Sequence, residues 1–257
     1  MKHVIITGAS RGLGAALTRA LLEPEYSLFC VSRSLNDELI AESSAAGVEL
    51  HWIQADLAET LSIDPFMSSI AERIDVESSE SIVLINNAGV LTPLGLIGSG
   101  DAGAIEHAVQ VNLIAPMVLT HSFIRHFHAV RLPRTVINVS SGAGTSPMRG
   151  LSTYSTTKAG LNLFTRAAAA EHGTNDGPAP LRFFAVSPGT VDTEMQDRLR
   201  SAGTSVLPEH DTYVSWKESG SLADPMDAAR AVLRLIDRTD IPNGSYVHRR
   251  DLEQESS

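Results

Sequence analysis

The segment YSTTK places a phenol and an ammonium group one helical turn apart, at Tyr154 and Lys158. Residues four positions apart lie on one face of a helix, so these two side chains can meet. A free tyrosine has a pKa of about 10, and a nearby ammonium group favours its phenolate. The spacing therefore allows a proton donor with a tuning charge, but it also allows an ordinary solvated helix face. The rest of the sequence must show which of these two interpretations is correct.

A glycine-rich loop, TGASRGLG, separates the first apolar run of the chain from the first helical pattern. Its glycines Gly8, Gly12 and Gly14 permit a tight turn, and the helix that follows offers free backbone N–H groups to a pyrophosphate. A plain turn would also use glycine. The position of the loop between a first strand and a first helix favours a dinucleotide site.

Two arginines indicate which dinucleotide the loop would hold. A site specific for NAD has a carboxylate roughly 20 positions after the loop, where it binds the ribose 2′-hydroxyl. Here the second apolar run ends in CVSRS, so Ser32 and Arg33 occupy that region. Either Arg33 or Arg11 alone is equally well explained as a surface charge. Together, and with the carboxylate missing, they favour the 2′-phosphate of NADP.

Short apolar runs alternate with segments of helical composition, which predicts repeated βαβ units and a parallel sheet covered on both faces. Without a linker or an internal repeat, we expect one NADP-binding domain over residues 1–257. The predicted strands are 4–7, 27–32, 48–55, 81–86, 135–140, 181–186 and 245–248, and the predicted helices lie near 13–22, 60–74, 103–130, 155–172 and 225–238.

The segment from Thr190 to Asp224 breaks this alternation. It is polar, contains Gly203 and Pro208, and has poor helical periodicity. Long insertions in compact domains are usually functional, and open α/β sheets bind ligands beyond the carboxyl ends of their strands. Because the insertion follows such an end, we expect a substrate lid near 190–224.

The composition narrows the range of partners. With 43% apolar residues, 19% charged residues and a net charge of −10, the chain is typical of a globular protein that does not bind nucleic acid. No apolar run approaches the roughly 20 residues of a spanning helix, so we expect a cytosolic protein with no membrane partner. The single cysteine, Cys30, lies in the apolar run LFCV, and nine histidines are spread singly, so we expect no metal site.

Four motifs in register resemble the short-chain dehydrogenase/reductase family in its compact form. They are TGASRGLG, then NNAG at 86–89, then Tyr154-x3-Lys158, then SPG at 187–189. The resemblance implies an α/β fold: a single-domain, Rossmann-type, doubly wound parallel sheet of about seven strands in the order 3-2-1-4-5-6-7, with helices on both faces. It also implies that two long helices pair across a two-fold axis, which gives a homodimer or homotetramer.

The resemblance implies a catalytic tetrad of Asn112, Ser141, Tyr154 and Lys158. Ser141 stands thirteen positions before the tyrosine, a spacing that favours it over its neighbour Ser140. Tyr154 would be the general acid that protonates a carbonyl oxygen, and Ser141 would fix that oxygen. Asn112 would act on Lys158 through a water molecule and the helix backbone.

The resemblance also implies a set of cofactor contacts. Asn87 is otherwise a turn former, Asp56 a helix cap or surface charge, and Thr193 an N-cap. The full set is Gly8, Ser10, Arg11, Gly12, Leu13, Gly14, Arg33, Asp56, Leu57, Asn87, Ala88, Gly89, Tyr154, Lys158, Pro188, Gly189, Val191 and Thr193.

Local stretches resemble one group within the family. SSGAG, TTKAGLNLFT and PGTVDTEMQ are similar to sepiapterin reductases and microbial benzil reductases. The resemblance implies an NADPH-dependent reductase of a small ketone or vicinal diketone. Two alternatives stay open: an NAD(P)+-dependent alcohol dehydrogenase, and a protein that binds NADP as a sensor without turnover.

Overall fold

Seven parallel strands form one sheet in the order β3-β2-β1-β4-β5-β6-β7. This computed structural model describes residues 1–172 and 179–253. The strands are β1 Lys2–Thr7, β2 Tyr26–Ser32, β3 Glu49–Gln54, β4 Ser81–Asn86, β5 Arg134–Val139, β6 Leu181–Ser187 and β7 Tyr246–His248. The predicted fold and strand order are confirmed, and each predicted strand is found within two residues of its expected bounds.

Helices cover both faces of the sheet. The α-helices are α1 Gly12–Ala20, α2 Asp37–Ala46, α3 Ile63–Ala71, α4 Ala102–Val109, α5 Ala115–Phe127, α6 Ser152–His172, α7 Glu194–Ser201, α8 His210–Glu218, α9 Pro225–Leu233 and α10 Arg249–Glu253. Single turns of 3-10 helix occupy Thr60–Ser62, Val76–Ser78, Gly142–Gly144 and Arg234–Ile236, and a π-helical turn occupies Gln110–Ile114.

The alternation of strand side chains produces two hydrophobic cores. In β1, Val4 and Ile6 pack with α1 and α9 on one face, whereas Ile5 packs with α3, α5 and α6 on the other. All three side chains are fully buried. Because successive side chains point to opposite faces of a strand, a near-continuous apolar run is the pattern of a strand covered on both sides.

Helix α2 is absent from the sequence prediction. Its ends carry ordinary signals: Asn36 accepts a hydrogen bond from the Leu39 backbone N–H at 3.0 Å, and Gly47 closes the helix at a φ of 68°. Its interior, DELIAESSAA, has only two buried side chains, Leu39 and Ser43. The apolar stripe by which an amphipathic helix is recognised in a sequence is therefore almost missing from α2.

The predicted helix 103–130 consists of α4, the π-helical turn and α5. By length and composition alone the run Ala102–Phe127 could cross a membrane, since an 18-residue window within it has a mean hydropathy of 1.3. Its inner face, however, packs on the sheet through Leu119, Phe123 and Phe127. Ser122 also donates a hydrogen bond of 2.9 Å to Asp64 of α3. These contacts are those of a core helix.

Candidate active site

The glycine loop packs so closely that two of its positions exclude a side chain. A Cβ atom on Gly14 would lie 2.0 Å from the carbonyl oxygen of Gly8, and one on Gly8 would lie 2.9 Å from the Cα of Ala88. Gly8 also has a φ of 68°, in the left-handed region that favours glycine. Glycine at these two positions therefore lets the loop pack directly against the start of α1 and against the segment after β4.

Helix α1 begins immediately after this loop without a cap from its own chain. Arg11 stands at the N-cap position and its side chain makes no capping bond, and the first turn holds no acidic residue. The first N–H groups of a helix lack intrahelical partners and attract anions. Loop and helix together therefore fit the pyrophosphate of a dinucleotide.

The NNAG motif is tied to the glycine loop by hydrogen bonds. The Thr7 hydroxyl oxygen accepts from the backbone N–H groups of Asn87 at 3.0 Å and Ala88 at 3.1 Å. The Asn87 side chain donates to the Thr7 carbonyl at 2.9 Å. The chain thus joins the carboxyl ends of β1 and β4, the two strands between which the strand order reverses, where open α/β sheets bind their ligands.

Lys158 is buried on α6 beside Tyr154. Its side-chain nitrogen Nζ donates a hydrogen bond of 2.8 Å to the Val139 carbonyl and lies 5.7 Å from the centre of the Tyr154 ring. Burial lowers the pKa of Lys158 from 10.5 to about 8. At pH 7 the ammonium form therefore still predominates, by about ten to one.

Burial raises the pKa of the Tyr154 phenol, and a hydrogen bond with Ser141 opposes that rise. The net lowering of this pKa that we expected from sequence is not found, because burial outweighs the groups that favour the phenolate, and Lys158 Nζ donates its hydrogen bond to the Val139 carbonyl. A raised pKa keeps the proton on the phenol at neutral pH. That protonation state is the one a general acid needs.

The structure separates Ser141 from Ser140. Ser141 lies at the carboxyl end of β5 within hydrogen-bonding range of the Tyr154 phenol, and its oxygen accepts from the Ala143 N–H at 3.2 Å. Ser140 is buried, and its hydroxyl donates to Asn162 at 2.6 Å. Only Ser141 faces Tyr154, in agreement with the spacing argument.

Asn112 lies fully buried in the π-helical turn. Its side chain accepts from the Val90 N–H at 2.7 Å and donates to the Val90 carbonyl at 2.8 Å. A Cβ atom on Gly89 would lie 3.4 Å from Asn112 Oδ1 and 3.7 Å from Lys158 Nζ, so the two groups flank Gly89. Asn112 thus fixes the segment after β4 against the lysine. Turns of π-helix often mark functional sites.

The other expected cofactor positions occupy the carboxyl ends of strands. Ser10 and Leu13 belong to the glycine loop and α1, and Pro188 and Gly189 follow β6. Val191 pairs with Ala223 in a β-bridge. After β3, Asp56 accepts from the Ala58 N–H at 3.0 Å, and Leu57 is buried in the core. Asp56 thus closes a short turn after β3 and does not cap the 3-10 turn Thr60–Ser62, whose N-cap position is Glu59.

Thr193 stands at the N-cap position of α7 but makes no capping bond with its side chain. Its methyl group instead faces the glycine loop, 3.4 Å from where a Gly12 Cβ would be. Thr193 therefore occupies the N-cap position, but its hydroxyl does not cap the helix.

The two arginines have different surroundings. Arg11 forms an ion pair of 2.6 Å with Glu194 of α7, and both side chains are more than half exposed. The exposed Arg33 guanidinium makes no hydrogen bond or ion pair within residues 1–172 and 179–253. Sequence reasoning missed Glu194, because nothing in the chain order signals that α7 returns to the glycine loop.

The segment 190–224 lies over Tyr154. Its ends are fastened to each other, since the Asp192 N–H donates to the Ala223 carbonyl at 2.9 Å. Between them, α7 and α8 contribute Leu199 and Tyr213 to one apolar cluster with Tyr154. The rest of that cluster is Leu91, Ala143, Leu151 and Leu207, with Leu94, Met148, Met195, Ala202, Val206 and Trp216 partly buried against it.

Comparison with known proteins identifies the family of this chain. The family model described as short chain dehydrogenase matches residues 2–203. The benzil reductase ((S)-benzoin forming) of Bacillus cereus is 35% identical over 249 residues, covering 96% of this chain and 98% of the relative. The sepiapterin reductase of Meriones unguiculatus is 29% identical, covering 95% and 94%.

The fold of this chain is also similar to that of a solved structure. The crystal structure of the KRED1-Pglu enzyme covers 96% of this chain and 100% of its own, with a TM-score of 0.81 and 28% identity. The chain therefore belongs to the short-chain dehydrogenase/reductase family, whose members are oxidoreductases that act on CH–OH or C=O groups with a nicotinamide cofactor.

Proposed function

We propose that this chain is an NADPH-dependent carbonyl reductase that reduces a ketone or one carbonyl of a vicinal diketone, with Tyr154 as general acid. The observation that carries the proposal is the setting of the Tyr154 phenol. Ser141 hydrogen-bonds to it, Lys158 lies beside its ring, and the apolar side chains of residues 190–224 pack against it.

The chemistry needs each of these groups. A nicotinamide held at the glycine loop would supply the hydride for the carbonyl carbon, which leaves negative charge on the carbonyl oxygen. Ser141 donates a hydrogen bond to that oxygen, and Tyr154 gives it a proton. The charge of Lys158 stabilises the phenolate that remains. Asn112 holds the Val90 backbone beside the lysine.

The choice of NADPH rests on charge. Arg33 follows β2 with a guanidinium that no described residue engages, and no carboxylate stands at that strand end. A 2′-phosphate would supply the anion that such an arginine binds. Arg11 is the second cation, once it exchanges Glu194 for the phosphate.

The substrate class follows from the apolar cluster. Aryl or alkyl ketones fit side chains such as Met148, Met195 and Trp216, and the relatives named benzil reductase suggest a diketone with two aromatic rings. We propose that residues 190–224 form the substrate lid, because their ends are joined at Val191 and Ala223 while the two helices between them cover Tyr154.

We also propose that two copies associate through α4, α5 and α6, as a homodimer or within a homotetramer. Three large apolar side chains are exposed there: Ile105, Met117 and Leu163, the last with 59% of its surface free. Exposed apolar groups on neighbouring helices mark an interaction surface. Light scattering should give at least twice the monomer mass at micromolar concentration, and a monomer mass would contradict this assembly.

The direct test of the function is consumption of NADPH, followed by its absorbance, with a panel of carbonyl compounds. Vicinal diketones should be reduced faster than pterins, quinones and 3-ketoacyl thioesters. NADPH binding without turnover of any panel member would instead support the sensor alternative. Turnover confined to alcohols with an oxidised cofactor would support the dehydrogenase.

A further inference from the structure

Three buried polar groups on the segment 190–224 have an atom without a hydrogen-bond partner within the described residues. They are the Tyr213 hydroxyl on α8, and the Gln196 amide oxygen and Arg200 Nη1 on α7. Only 2% of Tyr213 and 8% of Gln196 is exposed. An unsatisfied buried polar group costs stability and is rare in proteins, so each such group demands an explanation.

Tyr213 belongs to the same apolar cluster as the catalytic Tyr154. Leu207, which belongs to it too, lies against the turn before α6, where a Cβ atom on Gly150 would be 2.7 Å from its Cδ2 atom. Trp216 holds the Tyr213 ring edge-to-face, with the ring centres 5.4 Å apart. The phenol of Tyr213 is thus a fixed polar group within the apolar wall that covers the reaction centre.

The chemistry of a vicinal diketone distinguishes these three groups. Such a substrate offers two acceptor oxygens and no donor, so the amide oxygen of Gln196 gains nothing from it. The Tyr213 hydroxyl and the Arg200 guanidinium are donors, but Arg200 pairs with Asp197, and of the two only Tyr213 belongs to the apolar cluster that contains Tyr154. Burial and the charge of Glu209 raise the pKa of Tyr213, which keeps the hydroxyl protonated at neutral pH. One carbonyl oxygen is already assigned to Tyr154 and Ser141, so the second remains for Tyr213.

We propose that the Tyr213 hydroxyl donates a hydrogen bond to the second, unreacting oxygen of a vicinal dicarbonyl substrate, and that this contact selects dicarbonyls over monoketones. The proposal rests on the proposed function, because it assumes that carbonyl reduction occurs at Tyr154. A site with a buried donor discriminates strongly against an analogue without the matching acceptor, since the donor then stays unpaired.

The experiment compares two substrates that differ in that oxygen. Benzil has two adjacent carbonyls, and deoxybenzoin keeps both rings and one carbonyl. In Tyr213→Phe, kcat/KM for benzil should fall roughly five- to fiftyfold, and kcat/KM for deoxybenzoin should stay within about twofold. The change in the ratio of the two values is the readout, because benzil is intrinsically the more reactive ketone.

Two controls separate recognition from folding. Tyr26→Phe removes a phenol at the amino end of β2, whereas the site lies at the carboxyl ends of the strands, and should leave kcat/KM unchanged for both substrates. The melting temperature of Tyr213→Phe should equal or exceed that of the wild type, because the hydroxyl that it removes has no partner. A clear loss of stability would overturn the proposal, since the hydroxyl would then have a structural partner.

The remaining outcomes are distinct. An equal loss for both substrates, or no loss for either, would overturn the role of Tyr213 while leaving the proposed function intact. If the wild type binds NADPH but reduces neither compound, both the proposed function and the role of Tyr213 fail.

Discussion

The ammonium group of Lys158 lies 5.7 Å from the centre of the Tyr154 ring and donates its hydrogen bond to the Val139 carbonyl, not to a carboxylate. Its charge is therefore buried without an opposite charge beside it, and burial lowers its pKa to about 8. The protein keeps a costly cation next to the phenol, which indicates that the charge serves a purpose other than stability.

Lys158→Met should raise the thermal stability at neutral pH while it lowers the reduction rate severely. A pKa that falls from 10.5 to about 8 corresponds to a cost on the order of 3 kcal/mol when the group is charged. The lost bond to Val139 offsets part of this gain, so the melting temperature should rise by roughly a few degrees at pH 7.

The stability difference between Lys158→Met and the wild type should also depend on pH. Between about pH 8 and 10.5 the unfolded wild type binds more protons than the folded form, so its stability increases with pH across that window. The advantage of Lys158→Met should therefore shrink as the pH rises from 7 to 10. Calorimetry that shows the variant less stable at pH 7, or a gap independent of pH, would contradict the buried charge.

Arg33→Asp should weaken the binding of NADPH and should leave the binding of NADH unchanged or make it tighter. Loss of a charge-assisted hydrogen bond costs about 1.5–3 kcal/mol, or roughly ten- to a hundredfold in affinity. Fluorescence titration measures both dissociation constants, and Arg73→Asp, at an exposed site just beyond the end of α3, is the control for charge reversal. A wild type that uses both cofactors equally would show that the NADP assignment is wrong.

Glu194→Gln should tighten NADPH binding by roughly two- to fivefold without changing NADH. The Glu194 carboxylate pairs with Arg11 at 2.6 Å and so competes with a 2′-phosphate for the same cation. Both side chains are largely exposed, which limits the effect to that of a surface ion pair. In an Arg11→Ala background the gain should vanish. If Glu194→Gln tightened the binding of NADH as much as that of NADPH, the carboxylate would not be competing with the 2′-phosphate, and the prediction would be wrong.

Ser141→Ala should lower kcat by roughly a hundredfold while NADPH affinity stays nearly intact, because that hydroxyl serves the carbonyl oxygen. Ser140→Ala is the matched control one residue away. It removes the bond to Asn162 and should cost stability with little effect on kcat. Steady-state kinetics with a diketone checks both variants. The opposite pattern would mean that Ser140 is the catalytic serine.

The fold and the proximity of Ser141, Tyr154 and Lys158 were predictable because their signals are local. The middle of β1 is a continuous apolar run from Val4 to Ile6, the glycine loop has fixed spacing, and Tyr154 and Lys158 are one turn apart on a single helix. Parallel topology then brings the strand ends together. A similar spacing argument distinguished Ser141 from Ser140.

The contacts of the segment 190–224 were not predictable. Tyr213 reaches the cluster around Tyr154, and Glu194 reaches Arg11, only through the path that the chain takes after β6. Helix α7 has eight residues and is mostly polar, and α8 has nine residues with a weak apolar stripe, so neither sequence indicates which element the helix contacts. The sequence also could not show that the pKa of Tyr154 is raised, because the shift depends on burial and on where the Lys158 side chain points.

The most direct test is Tyr154→Phe, assayed with saturating NADPH and a diketone that the wild type reduces well. The substitution removes only the hydroxyl, so NADPH affinity by fluorescence titration and the melting temperature should stay close to wild type. Loss of a general acid should lower kcat by about 10²–10⁴-fold. Unchanged NADPH binding together with turnover within a few-fold of wild type would show that the proton comes from another group.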